Sequence, residues 1–147
     1  MTSHAAYFAD AGAWRRDAFD WTPESSRRAR GFTGYAALRS LGREGVAELV
    51  ERCCARADQF AAGISKLPEC TVLNDVVLNL VLFRFEDDRT TGEVLARVQA
   101  SGDAWLGGTS WDGRSAIRPS VSNWPSERDI ERTLAAFEAA SRAVTPR

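Results

Sequence analysis

Hydrophobic positions change period several times along the chain, and each change marks an element. From about Glu44, the residues Val46, Leu49, Val50, Cys53, Ala57, Phe60 and Ile64 recur at three- and four-residue intervals, opposite Glu48, Glu51, Arg52 and Arg56. That is the stripe of an amphipathic helix. Leu67-Pro68 ends it, because proline disfavours helical backbone in its predecessor. An earlier helix opens at Thr22-Pro23-Glu24, with a capping hydroxyl, a first-turn proline and an early acid, and runs to Gly42. Cys70–Asn74 and Val76–Phe85 predict two strands, the second apolar on both faces and therefore covered on both sides. Thr90 or Thr91 caps a short helix carrying Val94, Leu95 and Val98 and closed by Gly102. Ala104–Trp111 and Ser115–Asn123 predict two more strands, with Gly107-Gly108 and Asp112-Gly113 as bends or turns. Ser126 followed by Asp129 is close to a capping box for a last helix that buries Ile130, Leu134, Phe137 and Val144.

The order is helix, helix, strand, strand, helix, strand, strand, helix. Helices on one side of a small, mostly antiparallel sheet make an α+β sandwich. Residues 1–21, with Tyr7, Phe8, Trp14, Phe19 and Trp21, have no period and predict an irregular arm. Its aromatics are costly to leave in water, so the arm is expected to pack on something. No internal repeat interrupts the pattern.

Composition removes several functions. A chain of 147 residues is one domain by size. A net charge of −1 gives no footprint for nucleic acid or an anionic membrane. No run approaches the roughly 20 apolar residues of a membrane span. The start, MTSHAAYFADAG, lacks a basic region followed by an apolar core, so the chain is expected in the cytoplasm. Cys53, Cys54 and Cys70 are odd in number and have no zinc spacing, so they are read as small core or boundary residues. His4 is the sole histidine and Lys66 the sole lysine. A Ser-His-Asp triad or a histidine-rich metal site is excluded on that inventory, and no glycine-rich phosphate loop occurs.

One stretch stands apart. In GRSAIRPSVSNW, residues 113–124, strand alternation puts Ile117, Pro119, Val121 and Asn123 on one face and Ala116, Arg118, Ser120 and Ser122 on the other. Arg118 is surrounded there by residues with almost no side chain. By spacing alone it is an arginine on an outward sheet face. Its planar paired donors equally suit a carboxylate ligand. Pro119 lacks a ladder donor and suggests an edge strand or a bulge.

Three strings in order, SRRAR at a helix start, VLN followed by VLFRF, and GRSAIRPSVSNW before an acid-capped helix, give the chain a resemblance over residues 21–140. It resembles the C-terminal part of the group II pyridoxal-phosphate-dependent decarboxylases, which include the glutamate, aromatic-amino-acid and diaminobutyrate enzymes. The resemblance implies the small C-terminal domain of the aspartate-aminotransferase-like, fold type I enzymes, here residues 22–147 after the arm at 1–21. It implies pyridoxal 5'-phosphate as cofactor, held by a large domain that supplies the Schiff-base lysine, an aspartate for the pyridine nitrogen and a stacking histidine. None of those positions is in this chain: Lys66 follows Ile64-Ser65 with no histidine beside it and reads as a solvated surface lysine. The family's loop tyrosine has no match in residues 8–21, and Tyr7 falls too early. Arg118 matches the family arginine similar to a substrate-carboxylate binder, with Ala116 and Ser120 leaving room for the ligand. No catalytic, cofactor-binding or metal residue is assigned within the chain.

The implied reaction is loss of the α-carboxylate of an amino acid, with the isolated chain inactive. The expected partner is the missing large domain or a homologous subunit in an oligomer, with neither nucleic acid nor membrane. Two other readings stay open: a stand-alone interaction module, or a split subunit completing a large domain in trans. Transamination or desulfuration on the same fold is disfavoured by the SRRAR and SVSNW strings.

Overall fold

A computed structural model describes residues 31–123 and 125–144. The chain divides into two units at the Ser40–Leu41 junction. In the first, the described residues 31–40 are helical and exposed, Phe32 and Tyr35 included. The expected arm, the helix start at Thr22 and the SRRAR string lie outside the described residues.

Helix α1 (Gly31–Ile64) is interrupted at Gly42, whose φ of 65° and ψ of −176° are not helical. Only glycine enters that conformation without a Cβ penalty, so the chain breaks where the glycine was expected to end the first helix. Burial on the following segment begins at Cys53 and continues through Ala57, Phe60 and Ile64. Val50, expected in the stripe, is half exposed.

The second unit is built on four strands: β1 (Thr71–Val72), β2 (Phe83–Arg84), β3 (Gly107–Trp111) and β4 (Arg114–Arg118). They form one sheet in the order β1-β2-β4-β3, every neighbouring pair antiparallel. Helices α2 (Asp88–Ser101) and α3 (Glu127–Val144) complete it. The expected α+β class holds.

One sheet face carries the helices. Phe83 meets Phe60 of α1 and Phe137 of α3 at centroid distances of 5.8 and 5.3 Å, tilted or edge-on, as ring quadrupoles prefer. Val81, Phe85, Val94, Val98, Ile117, Val121 and Ile130 close the same core. Two glycines permit the approach. A Cβ at Gly63 would collide with Leu134, and one at Gly108 would stand 3.1 Å from the Leu95 side chain. Gly107-Gly108 is therefore part of β3 rather than a bend, its second glycine admitting α2. Asp112 and Gly113, at φ 49° and 73°, link the partners Trp111 and Arg114 as a type I′ hairpin turn.

Two other expectations are corrected. The strand expected over Val76–Phe85 is regular only at Phe83–Arg84. Upstream, the side chains of Asn74 and Asn79 bind backbone groups, the competition by which asparagine diverts a ladder. The helix expected to be capped by Thr90 or Thr91 is capped by Asp87, whose Oδ1 accepts from Thr90 N at 2.6 Å. Thr91 turns inward, its hydroxyl accepting from Phe85 N and donating to Asp87 O. Gly102 ends α2 in the left-handed conformation as expected. Ser126 and Asp129 exchange the reciprocal bonds of a capping box, Ser126 N to Asp129 Oδ2 and Asp129 N to Ser126 Oγ.

Candidate functional site

The face of the sheet away from the helices carries Arg118. β4 pairs with β2 at Phe83↔Ile117 and the same register returns at Leu80↔Ser120, so no bulge intervenes. Alternation then sends Ile117, Pro119 and Val121 to the buried face and Arg118 and Ser120 to solvent. On the other side, Arg118 is the partner of Gly107 at the start of β3, which removes any side chain from that flank. Among the described residues the Arg118 side chain has neither a hydrogen bond nor an ion pair.

The rest of this face is uneven. Ala116, expected to leave room beside Arg118, is buried with 2% of its surface exposed. By the shared register it lies opposite Arg84, which is also buried. The free space is therefore on the Ser120 side. There Leu80, the bridge partner of Ser120, is 43% exposed. Arg118 thus stands between a closed half of the sheet face and an open, partly apolar end.

Pro119 is not on an edge strand, since β4 lies between β2 and β3. Val81 N donates to Pro119 O at 3.2 Å, and proline has no N–H to return the bond. The regular strand stops at Arg118 for that reason. Asn123 ends the stretch at φ 72° and its carbonyl accepts from the Cys53 thiol at 3.6 Å. Trp124 lies outside the described residues.

Arg84 was not singled out from the sequence, although an arginine inside VLFRF is a signal. It is buried, its Nε donates to Phe85 O at 3.0 Å, and its Nη2 donates to Glu86 O and to Asp88 Oδ1, both at 3.2 Å. Arg114 Nη2 joins it on Glu86 O, and Ser115 N on Asp88 Oδ1. These bonds fasten the β2–α2 corner to β4. They are structural; Arg114 is exposed on this face but bonded to Glu86 O, and Arg118 is exposed with no side-chain bond among the described residues.

The second feature is a groove of about 800 Å³ lined by Lys66, Leu67, Pro68, Glu69, Phe85, Glu138, Ser141 and Arg142. Lys66 is exposed in the turn after α1, and Arg142 is paired with Glu138. The groove sits at the C-terminal ends of α1 and α3, where helix dipoles disfavour a phosphate. Nearby Cys70 has its thiol pushed up from 9.0 to about 12 by burial, which makes it inert. Cys53, Cys54 and Cys70 are free thiols. Among the described residues no cluster of His, Cys, Asp or Glu could hold a metal, and no helix is long and apolar enough to cross a membrane.

Comparison with known proteins gives the chain a family. The model of the pyridoxal-dependent decarboxylase conserved domain matches residues 2–86. The chain belongs to the pyridoxal-dependent decarboxylases. Its fold is similar to that of Catharanthus roseus tryptophan decarboxylase in complex with L-tryptophan, with a TM-score of 0.72, 16% identity and coverage of 79% of this chain and 26% of that one. It is likewise similar to Oryza sativa TDC with PLP and tryptamine (TM-score 0.72, 20% identity, 80% and 26% covered). The glutamate decarboxylase domain of a Vibrio parahaemolyticus diaminobutyrate-pyruvate transaminase and L-2,4-diaminobutyrate decarboxylase matches with a TM-score of 0.64, 20% identity and coverage of 75% and 25%. The chain spans about a quarter of the length of these neighbours. Curated protein sequences give no match.

The family implies pyridoxal phosphate, and the described residues do not fit it. The aldehyde needs a lysine amine and the phosphate needs converging donors. Lys66 is the sole lysine of the chain, exposed beside two helix C-termini and a Glu–Arg pair. No histidine occurs among the described residues.

Proposed function

We propose that the chain is the substrate-facing C-terminal part of a pyridoxal-phosphate-dependent carboxy-lyase, which removes the α-carboxylate of an amino acid only with a cofactor-bearing domain beside it. That domain is a large cofactor domain or a homologous subunit, in a cytoplasmic dimer or higher oligomer. The observation that carries the reading is Arg118, an exposed guanidinium without a partner among the described residues, on a sheet face bare at the Ser120 end. Its role is to hold a substrate carboxylate through paired N–H donors. Ser120, small and exposed, leaves the space the ligand needs.

The test is to restore a large domain by fusion or co-expression and measure decarboxylation. Arg118→Lys is expected to impair activity nearly as much as Arg118→Ala, because lysine keeps the charge and loses the planar fork. The loss of a charge-assisted contact, about 1.5–3 kcal/mol, corresponds to roughly ten- to hundred-fold in kcat/KM. Ser120→Leu should weaken substrate binding by filling the space. A sharp drop in melting temperature for Arg118→Ala with unchanged substrate affinity would make the arginine structural. The chain alone is expected neither to form an aldimine nor to decarboxylate; stoichiometric borohydride-trapped cofactor at Lys66 would overturn that.

A second reading, a stand-alone interaction module on the same fold, is favoured by one observation: Val77 and Leu78 are 79% and 61% exposed on the loop beside this site. An upstream reading frame ending in a His-Lys motif would decide for the enzyme.

A further inference from the structure

We infer that Asn79 is a positioning residue for Arg118, its side chain holding the strand in register beyond the ladder bond that Pro119 removes. The inference rests on the reading of Arg118 as a carboxylate binder, and its geometry stands independently. The pairs Phe83↔Ile117 and Leu80↔Ser120 share one register, so Val81 faces Pro119 and Asn79 faces Val121. In an antiparallel pair, facing residues that point toward each other exchange two bonds. Val81 and Pro119 exchange one, Val81 N to Pro119 O at 3.2 Å, since proline has no donor.

One step further on, Val121 N donates to Asn79 O at 2.9 Å. The return bond to Val121 O comes from the Asn79 side chain, Nδ2 at 2.8 Å, not from its backbone. The same Nδ2 is 3.5 Å from Ser120 Oγ. On the other flank, Asn74 Oδ1 accepts from Leu82 N at 2.7 Å, and Asn74 Nδ2 donates to Leu80 O at 3.2 Å. Residues 79–82 are thus tied by Asn74 on one flank, beside the Leu73 N to Leu82 O bond, and by the Asn79 side chain on the other, where neither β1 nor β4 continues as a regular strand. Arg118 lies between Ile117, held by backbone pairing, and the segment that Asn79 holds. With no side-chain bond of its own among the described residues, it takes its aim from the backbone, which its pairing with Gly107 holds on the β3 side and the Asn79-held segment on the β2 side. This gives a function to the two asparagines of the VLN…NLVLFRF stretch.

The test uses the full chain, isotope-labelled, with acetate as probe. In Asn79→Ala the Val121 amide keeps its bond to the residue 79 carbonyl but loses the tie at Val121 O, so easier local opening should speed its exchange about tenfold, while the amides of Phe83, Val94 and Phe137 stay unchanged. Residual dipolar couplings over residues 118–121 should change, and the acetate response of the Arg118 Nε–H resonance should weaken while that of exposed Arg89 stays the same. Asn79→Asp, of nearly equal size but without the amide donor, should act in the same direction. Unchanged couplings over 118–121, or exchange accelerated equally throughout the core, would overturn the inference. If wild-type Arg118 responds to acetate no more than Arg89 does, the carboxylate reading fails, and the couplings still decide the role of Asn79.

Discussion

The two faces of the sheet use the same strands for opposite ends. On the helix side, Phe60, Phe83 and Phe137 are almost wholly buried and meet tilted or edge to face, so each ring's position depends on all the others. On the far side, Arg118 and Ser120 are exposed, and beyond the end of β4 at Arg118 an asparagine side chain takes the place of a ladder bond. A face that closes on a core gains stability from every apolar atom it hides. A face that keeps a guanidinium in solvent gains almost nothing from it in folding and remains available for a ligand. The comparison teaches where to look for function in a domain of this size: at the exposed end of a strand whose other face is locked.

The core side should show the largest effects. Phe83→Ala removes a fully buried ring in contact with three others and should cost about 3–5 kcal/mol, read from the urea midpoint. A loss below about 1 kcal/mol, the scale of surface changes, would mean the two faces are not energetically distinct. Gly63→Ala, whose new methyl would collide with Leu134, should follow with about 1–3 kcal/mol from overpacking. Gly63→Ala combined with Leu134→Ala should recover part of that loss.

A smaller effect belongs to the helix caps. The Thr90 amide, donating to Asp87, holds its carboxyl below the ordinary 3.8, and the Ser126 hydroxyl and amide do the same for Asp129. A carboxylate with a depressed folded value contributes stability that is full above 3.8 and is lost as pH falls through the folded value. Asp87→Asn keeps a good capping side chain and removes the titration, so its urea midpoint should depend less on pH below 4 than that of the wild type. Equal pH dependence would show that the cap does not titrate with folding.

The smallest change in stability is expected at the site itself. Arg118→Ala, exposed and unpartnered among the described residues, should stay within about 0.5 kcal/mol of wild type, checked by the same denaturation. A larger loss would erase the contrast between the faces.

Local chemistry was readable along the chain. The break at Gly42, the stop at Gly102, the Asp112-Gly113 hairpin and the Ser126/Asp129 box all follow from residues a few positions apart, whose backbone preferences act whatever surrounds them. The alternation of Ile117, Arg118 and Ser120 across the sheet, and the resemblance carried by GRSAIRPSVSNW, were legible for the same reason. What the tertiary structure alone decided depends on distant partners. Val76–Leu80 looks like strand until the two asparagines meet the backbone of residues 80–82 and 121. Ala116 seems to leave space until the register puts it opposite Arg84 and buries it. Pro119 suggests an edge until β4 is found inside the sheet. Whether a side chain is hidden, paired or free is a property of what folds against it, and no local pattern of hydrophobic and polar residues contains that information.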